Sequence, residues 1–236
     1  MEKQNFIEEM AKYDLKLNVE QTEQFFKYMN LLLEWNEKMN LTAITEPKEV
    51  ILKHFVDSLT ISKYIHENSN VIDVGTGAGF PGVPLKIAKP LANITLLDSL
   101  NKRLIFLNEV INQLKLQKIQ TEHYRVEEAG QNKKFREKFD IATSRAVANL
   151  RVLSEYMLPL VKVGGKCIAM KGSEIEQELE ESEKAISILG GKIERVEKLV
   201  LPGTDMNRNI VIIEKIKTTP QKYPRKPGTP SKEPIG

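Results

Sequence analysis

The stretch Val71-Ile72-Asp73-Val74-Gly75-Thr76-Gly77-Ala78-Gly79-Phe80-Pro81-Gly82 decides the fold class. A short apolar strand, Asn70 to Val74, runs into three alternating glycines, and a helix is expected to open near Pro81. Glycines at such a corner let the backbone take positive φ and leave no Cβ to block a ligand lying across the strand tip. The turn alone fits NAD, FAD or S-adenosylmethionine, and it also fits a loop rich in glycine for geometry only.

Outward from this corner the chain alternates. Strand-like runs at Asn93–Leu97, Lys118–His123, Phe139–Thr143 and Lys166–Met170 are separated by helical patterns at Lys102–Leu114 and Leu150–Leu160. Such alternation predicts a mostly parallel sheet covered by helices. A Glu-rich helix, Glu174–Leu189, ends at Gly190-Gly191. Two β-rich runs, Lys192–Val200 and Asn209–Ile216, read as a closing antiparallel pair. Before residue 70 no strand pattern occurs. Phe25, Met29, Leu32, Leu33 and Trp35 recur at helical spacing, and a second helix is expected from Pro47 through Val50, Leu52, Phe55 and Leu59. The resulting division is a helical region over 1–67, a Rossmann-like domain over 68–217, and a basic, proline-rich tail over 218–236 with little that could pack. The tail is read as an extended arm whose cations meet nucleic-acid phosphates, or else as a segment that Tyr223, Pro224 and Pro227 pin along the sheet edge.

Composition narrows the class. A chain of 236 residues with 41% hydrophobic content can bury a sizeable core. No apolar run approaches the roughly 20 residues of a membrane span. The acidic start MEKQNFIEEM is unlike a signal peptide, and the single Cys167 forms no intramolecular disulfide. A cytoplasmic protein without a membrane partner is expected. Net charge is only +3, but residues 98–171 hold 14 Lys and Arg against 8 Asp and Glu. That imbalance fits either a basic face for nucleic acid or ordinary solvated charge.

Two carboxylates sharpen the ligand. Asp98 ends the second strand, where a carboxylate accepts hydrogen bonds from both ribose hydroxyls of an adenosine. Asp73, two residues before the first glycine, would sit poorly beside a pyrophosphate; it suits a ligand with no phosphate and a cationic amino-acid end, or else it caps the loop. Arg125-Val126-Glu127-Glu128 follows the third strand, where an adenine-contacting loop belongs, although the acids also suit a helix start. The acceptor is read from the fourth strand's tip, Asp140-Ile141-Ala142-Thr143-Ser144-Arg145-Ala146. It lacks the Asn/Asp-Pro-Pro-aromatic motif of exocyclic amine methylation, and Cys167 lies inside a strand, out of place for a C5 nucleophile. The N7 of guanine carries a free lone pair and needs no general base, only alignment and electrostatics. Arg145 suits a phosphate or a guanine edge, and equally an ion pair.

The chain closely resembles the small-subunit ribosomal RNA methyltransferase G family, once described as glucose-inhibited division protein B. The resemblance is carried by Trp35-Asn36-x-x-x-Asn40-Leu41-Thr42, His54-x-x-Asp57-Ser58, the glycine loop, Arg125-Val126-Glu127, Ser144-Arg145-Ala146, Met170-Lys171-Gly172, Arg208-Asn209 and the tail from Lys222 to Pro230. It implies the α/β fold of class I S-adenosylmethionine-dependent methyltransferases, with a seven-stranded, mostly parallel sheet and an N-terminal helical extension. It implies N7 methylation of one guanine in the decoding-region loop of 16S rRNA, in free RNA or a small ribosomal subunit, with no obligate protein partner. Cofactor contacts are implied at Gly75, Phe80, Val126, Glu127 and Arg145, beside the Asp73, Gly77, Gly79 and Asp98 of the strand and loop reading. An RNA- and cofactor-facing basic set is implied at Lys102, Arg103, Arg125, Arg145, Lys171 and Arg208. Of these Arg145, Lys171 and Arg208 are candidates for positioning and electrostatics, with no catalytic acid or base and no metal. His54 and Asp57, at i,i+3, fit a metal or acid–base pair less well than a hydrogen-bonded pair joining helix to core. Asn36 and Asn40 would shape the target pocket or cap a helix. Two rivals are a nicotinamide-dependent oxidoreductase on the same loop and a non-catalytic RNA-binding factor.

Overall fold

A computed structural model describes residues 1–13 and 16–236. Helices α1 (Lys3–Ala11) and α2 (Val19–Met39) come first. Asn18 and Gln21 form a reciprocal capping box at the start of α2, and Asn40 closes it in the left-handed conformation, its N–H bonded to the Asn36 carbonyl. The helix expected from Pro47 begins there, with the Glu46 carboxylate accepting from the Glu49 N–H, but it is not uniform. Pro47–Val50 (α3) widens into a π-helical stretch, Ile51–Val56, before Asp57–Leu59 (α4). Wide turns of this kind cluster at functional sites, and here the stretch carries Lys53 and His54.

The remaining elements alternate as expected: β1 (Asn70–Val74), α5 (Gly82–Ala88), β2 (Asn93–Asp98), α6 (Asn101–Gln113), β3 (Ile119–His123), α7 (Val126–Gln131), β4 (Phe139–Arg145), α8 (Leu150–Met157), β5 (Val161–Lys171), α9 (Glu176–Ile188), β6 (Gly191–Val200) and β7 (Asn207–Lys215), then a short α10 (Thr229–Lys232). The seven strands lie in the order β3-β2-β1-β4-β5-β7-β6, parallel except for β7, which runs antiparallel to both β5 and β6. This is an α/β doubly wound sheet whose order reverses beside β1, and ligands bind at such a switch point, outside the carboxyl ends of the strands. The central strands are buried on both faces, which is why β1 and β2 read as apolar runs rather than alternations. One core face joins Phe6, Phe25, Tyr28 and Phe55 of the N-terminal helices to Val71, Ile94 and Leu107. The other joins Ile72 and Ala142 to Leu153, Leu158 and Tyr223.

That last residue decides between the two readings of the tail, for the pinned segment and against the arm. Residues 218–236 do not trail as an extended basic arm. Tyr223, Pro230 and Ile235 are buried, and Arg225 forks onto both oxygens of Glu155, itself almost wholly buried (2.9 Å from Nε to Oε1, 2.6 Å from Nη2 to Oε2). Arg136 donates to the carbonyls of Thr219, Pro220 and Tyr223, and Gln131 to that of Pro224. Prolines spare this strap backbone donors that would need partners, and one arginine satisfies several of its carbonyls. Composition alone did not reveal it because the partners lie some 70 to 90 residues away. Removing one partner of a buried ion pair strands the other. Arg225→Ala should therefore lower unfolding free energy by about 3 kcal/mol, read as a reduced urea midpoint at unchanged slope. A midpoint equal to that of the wild type would mean that the strap is not fastened there.

Candidate functional site

The carboxyl ends of β1, β2 and β4 open into a cleft of about 480 Å³. Its wall brings together Gly75, Gly77, Phe80, Asp98, Arg103, Arg125, Val126, Glu127 and Arg145, residues spread over 71 positions of the chain. The glycine turn forms the floor, with φ of +68° at Gly75 and +61° at Gly77, values that side-chain-bearing residues rarely hold.

Asp73 organises that floor from below. It is fully buried, and its Oδ2 accepts from the Thr76 hydroxyl (2.6 Å) and from the Gly82 N–H (2.9 Å), tying both ends of the turn to one carboxylate. Glycine is needed at 82 because a Cβ there would stand 2.8 Å from Asp73 Oδ2 and 2.3 Å from a Leu96 methyl. Burial pushes the Asp73 carboxyl up to about 6, opposed by these two donors. Asp73 does not line the cleft, so its reading as a direct ligand contact is corrected to that of a loop clasp. Gly79 is corrected likewise: a Cβ there would meet Tyr28, Val83 and Leu107, so it turns toward the core.

Most of the loop's amides are spent internally, Ala78 at the cleft lining being the exception. Gly75 and Thr76 N–H groups go to the Leu97 carbonyl, Gly79 and Phe80 to that of Thr76, Val83 to that of Gly79, and Gly82 to Asp73. Gly77 N–H goes to Asp98 Oδ2 at 2.9 Å. A dinucleotide site needs such donors free to cradle a pyrophosphate. This loop has turned them inward, onto carbonyls and two carboxylates. Asp98 also accepts from Leu100 N–H and from Arg103, yet its carboxylate has about four lone-pair sites and keeps capacity toward the cleft.

At the other side of the floor, Arg145 is a junction. Its Nη1 donates to the Lys53 carbonyl (2.9 Å) and Asp57 Oδ2 (3.1 Å), and its Nη2 to His54 Nδ1 (3.0 Å). The guanidinium also lies over the Phe80 ring, 5.0 Å from its centroid. Asp57 Oδ1 takes Arg208 Nε at 3.1 Å. His54 and Asp57 are thus joined through a third residue rather than to each other, and the π-helical stretch presents the Lys53 carbonyl to the same arginine. Since Arg145 can only donate, His54 Nδ1 must accept, so the proton sits on Nε2 and is given to Thr42 Oγ1 at 2.9 Å. Thr42 is held in turn by Asn36, whose Oδ1 accepts the Thr42 N–H. The imidazole stacks on Phe80, with centroids 4.3 Å apart. Burial, reinforced by the Arg145 charge, pulls its pKa down to about 3.

The rest of the basic set is divided. Arg103 and Arg125 line the cleft mouth, and Lys102 is exposed at the start of α6. Lys171 is not a free cation facing it: its Nζ donates to the Ala148 carbonyl (2.7 Å) and pairs with Glu178 (2.7 Å), fastening the loop after β4. Arg208 is engaged by Asp57. Leu41, Tyr124, Val147 and Tyr156 also line the cleft. Leu41 sits within a motif quoted above, whereas nothing local marks Tyr156, an α8 residue delivered by packing. Among the described residues no group of three His, Cys, Asp or Glu side chains is placed to hold a metal ion, and no helix is long and apolar enough to cross a membrane.

Comparison with known proteins gives the family and the fold. A family model described as rRNA small subunit methyltransferase G matches residues 21–211. Proteins named ribosomal RNA small subunit methyltransferase G are similar along nearly the whole chain. One from Alkaliphilus oremlandii is 53% identical over the full length of both chains, and one from Lactobacillus johnsonii is 52% identical over 98% of each. Among solved structures, a SAM-dependent methyltransferase from Aquifex aeolicus shares the fold at TM-score 0.54 and 17% identity, covering 74% of this chain and 96% of that one. The TYW2 protein of M. jannaschii, solved in complex with AdoMet, does so at TM-score 0.54 and 15% identity, over 68% and 75%.

The neutral His54 gives the site a pH signature. Its folded pKa of about 3 lies below the ordinary 6.5, so only the unfolded chain takes up this proton between those values. The stability His54 contributes is complete above pH 6.5 and is lost as pH falls, by about 2 kcal/mol at pH 5. Asp73 works in the opposite sense, its raised pKa favouring the fold as pH drops below about 6. His54→Gln keeps an acceptor for Arg145 and a donor for Thr42 but cannot titrate. Its unfolding free energy should fall less than that of the wild type between pH 7 and 5. Parallel pH profiles for the two proteins would contradict the neutral assignment.

Proposed function

The chain belongs to the rRNA small subunit methyltransferase G family, and we propose that it transfers a methyl group from S-adenosylmethionine to N7 of one guanine in the decoding-region loop of 16S rRNA. The observation that carries the cofactor reading is the glycine loop with all its amides but that of Ala78 satisfied internally. Such a loop offers a surface for a nucleoside without phosphates, and it disfavours the nicotinamide rival.

The residues present fit that ligand. Asp98, at the end of β2, would take the ribose hydroxyls; Val126 and Glu127 would take the adenine; Gly75 and Gly77 would admit the amino-acid end close to the backbone. When bound, the cofactor supplies an electrophilic methyl on a sulfonium. The protein then has to align an acceptor and exclude water, because the N7 lone pair attacks without prior loss of a proton. His54, locked neutral and stacked on Phe80, offers no charged acid, and both of its ring nitrogens are occupied. Arg145 keeps a fixed positive charge at the cleft wall while it pins the N-terminal helices to the tip of β4. Direct attack within a preorganised site therefore suits the geometry better than general-base catalysis. Arg103 and Arg125 at the mouth, with Lys102 nearby, suit phosphates of the approaching RNA.

S-adenosylhomocysteine at a hundred times its Kd should stabilise the protein by about 2.7 kcal/mol, whereas NAD at the same concentration should leave the melting temperature unchanged. Labelled methyl from S-adenosylmethionine should enter small ribosomal subunits or free 16S rRNA. Stabilisation by NAD alone, or no transfer to either RNA substrate by protein that binds S-adenosylhomocysteine, would overturn the reading.

A further inference from the structure

The strap formed by the end of the chain reaches the cleft from behind. It lies against α7 so closely that a Cβ on Gly130 would stand 2.6 Å from Pro224 Cγ. Arg136 binds the two together, donating to the Gly130 carbonyl (2.8 Å) and the Tyr223 carbonyl (2.7 Å) from one nitrogen. On α8 the strap is fastened by Arg225 to Glu155. Past these anchors it makes two contacts with side chains that line the cleft. Gly228 N–H donates to Glu127 Oε1 at 2.9 Å, and the Ser231 hydroxyl bonds the Tyr156 hydroxyl at 3.0 Å.

The first contact is the more telling. Glu127 is buried, and among the described residues Gly228 N–H is the one hydrogen-bond donor that its carboxylate meets. A buried carboxylate with a single donor takes its orientation from that donor, and the donor's own position depends on a left-handed turn, φ +83° at Gly228. We propose that residues 219–231 are a positioning element of the cofactor site: Gly228 aims Glu127, and Ser231 steadies Tyr156, so that the wall for the adenine is assembled only when the end of the chain is seated. This rests on the assignment of the cleft to S-adenosylmethionine. It gives the strap a role in cofactor affinity in place of the free RNA-binding arm expected from its lysines.

Gly228 offers a clean test because the space around it is open: a Cβ there meets nothing within 4 Å. A β-branched residue cannot hold the left-handed turn, whereas asparagine tolerates it and keeps the N–H in place. In the full-length protein, calorimetric titration with S-adenosylhomocysteine should show Gly228→Val weakened about tenfold, the scale of one lost hydrogen bond to a charged group. Gly228→Asn should restore binding to within about twofold, as the turn is preserved. Ser231→Ala removes one hydroxyl from an exposed residue and should weaken binding by about threefold without unfolding the chain. In methyl-transfer assays the losses should fall on KM for S-adenosylmethionine rather than on kcat. Wild-type affinity in both Gly228→Val and Ser231→Ala would overturn the proposal, as would equal losses in the valine and asparagine variants. A wild-type protein that fails to bind S-adenosylhomocysteine would overturn the cofactor assignment itself, an outcome distinct from the other two.

Discussion

Arg145 is largely withdrawn from water at the tip of the central strand β4, with 14% of its side chain exposed, and its charge is tolerable only because of what surrounds it. Moving a guanidinium out of water costs several kcal/mol unless a carboxylate and further acceptors replace the lost hydration. Asp57 supplies the charge, and Lys53 and His54 supply the acceptors. Lys53 and His54 lie on the wide-turned segment between α3 and α4 and Asp57 opens α4, so solvating this one arginine docks the N-terminal helices against the sheet. The docking brings Leu41 to the cleft and lays His54 on Phe80. A lysine could not substitute, since a single ammonium does not spread its donors in a plane across three acceptors. The aromatic wall of the site thus depends on an ion pair whose members are 88 residues apart in sequence.

Three carboxylates divide the rest of the work. Asp73 is buried beneath the glycine turn and holds its two ends; Asp98 takes the Gly77 amide and still faces the cleft; Glu127 faces the cleft and is held by the end of the chain. The first sets the floor's shape, the second couples floor to wall, and the third couples wall to strap. Geometry that in a dinucleotide enzyme would be left open for phosphate is closed here by acids. Negative charge beneath and beside the turn disfavours a pyrophosphate and suits the phosphate-free, cationic ligand proposed for the cleft.

Much of this was legible in the sequence because its signals are local. Asn70–Val74 followed by alternating glycines defines a strand, a turn and a helix start within a dozen residues, and β1 begins and ends at the residues expected. Asp98 and Arg145 were found because strand ends are predictable from apolar runs. What escaped depends on contacts distant in sequence. The π-helical turn at Ile51–Val56 has no periodicity signature, since its hydrogen bonds span only one residue more than those of an α-helix. The engagement of Lys171 by Glu178 and of Arg208 by Asp57 could not be told from free basic charge. The tail stayed open between arm and clamp for the same reason: its prolines and lysines look like those of an extended segment, while its anchors are Arg136, Glu155 and Gln131 in another part of the chain.

Because the acceptor atom is the boldest element of the account, it is tested most directly in the cell's own RNA. Small-subunit rRNA from cells with and without this gene, cleaved chemically at N7-methylguanine and read by primer extension, should differ at one guanine in the decoding-region loop. That site should be modified when the gene is present and unmodified when it is absent. Identical N7-methylguanine profiles in the two RNAs would contradict the assignment.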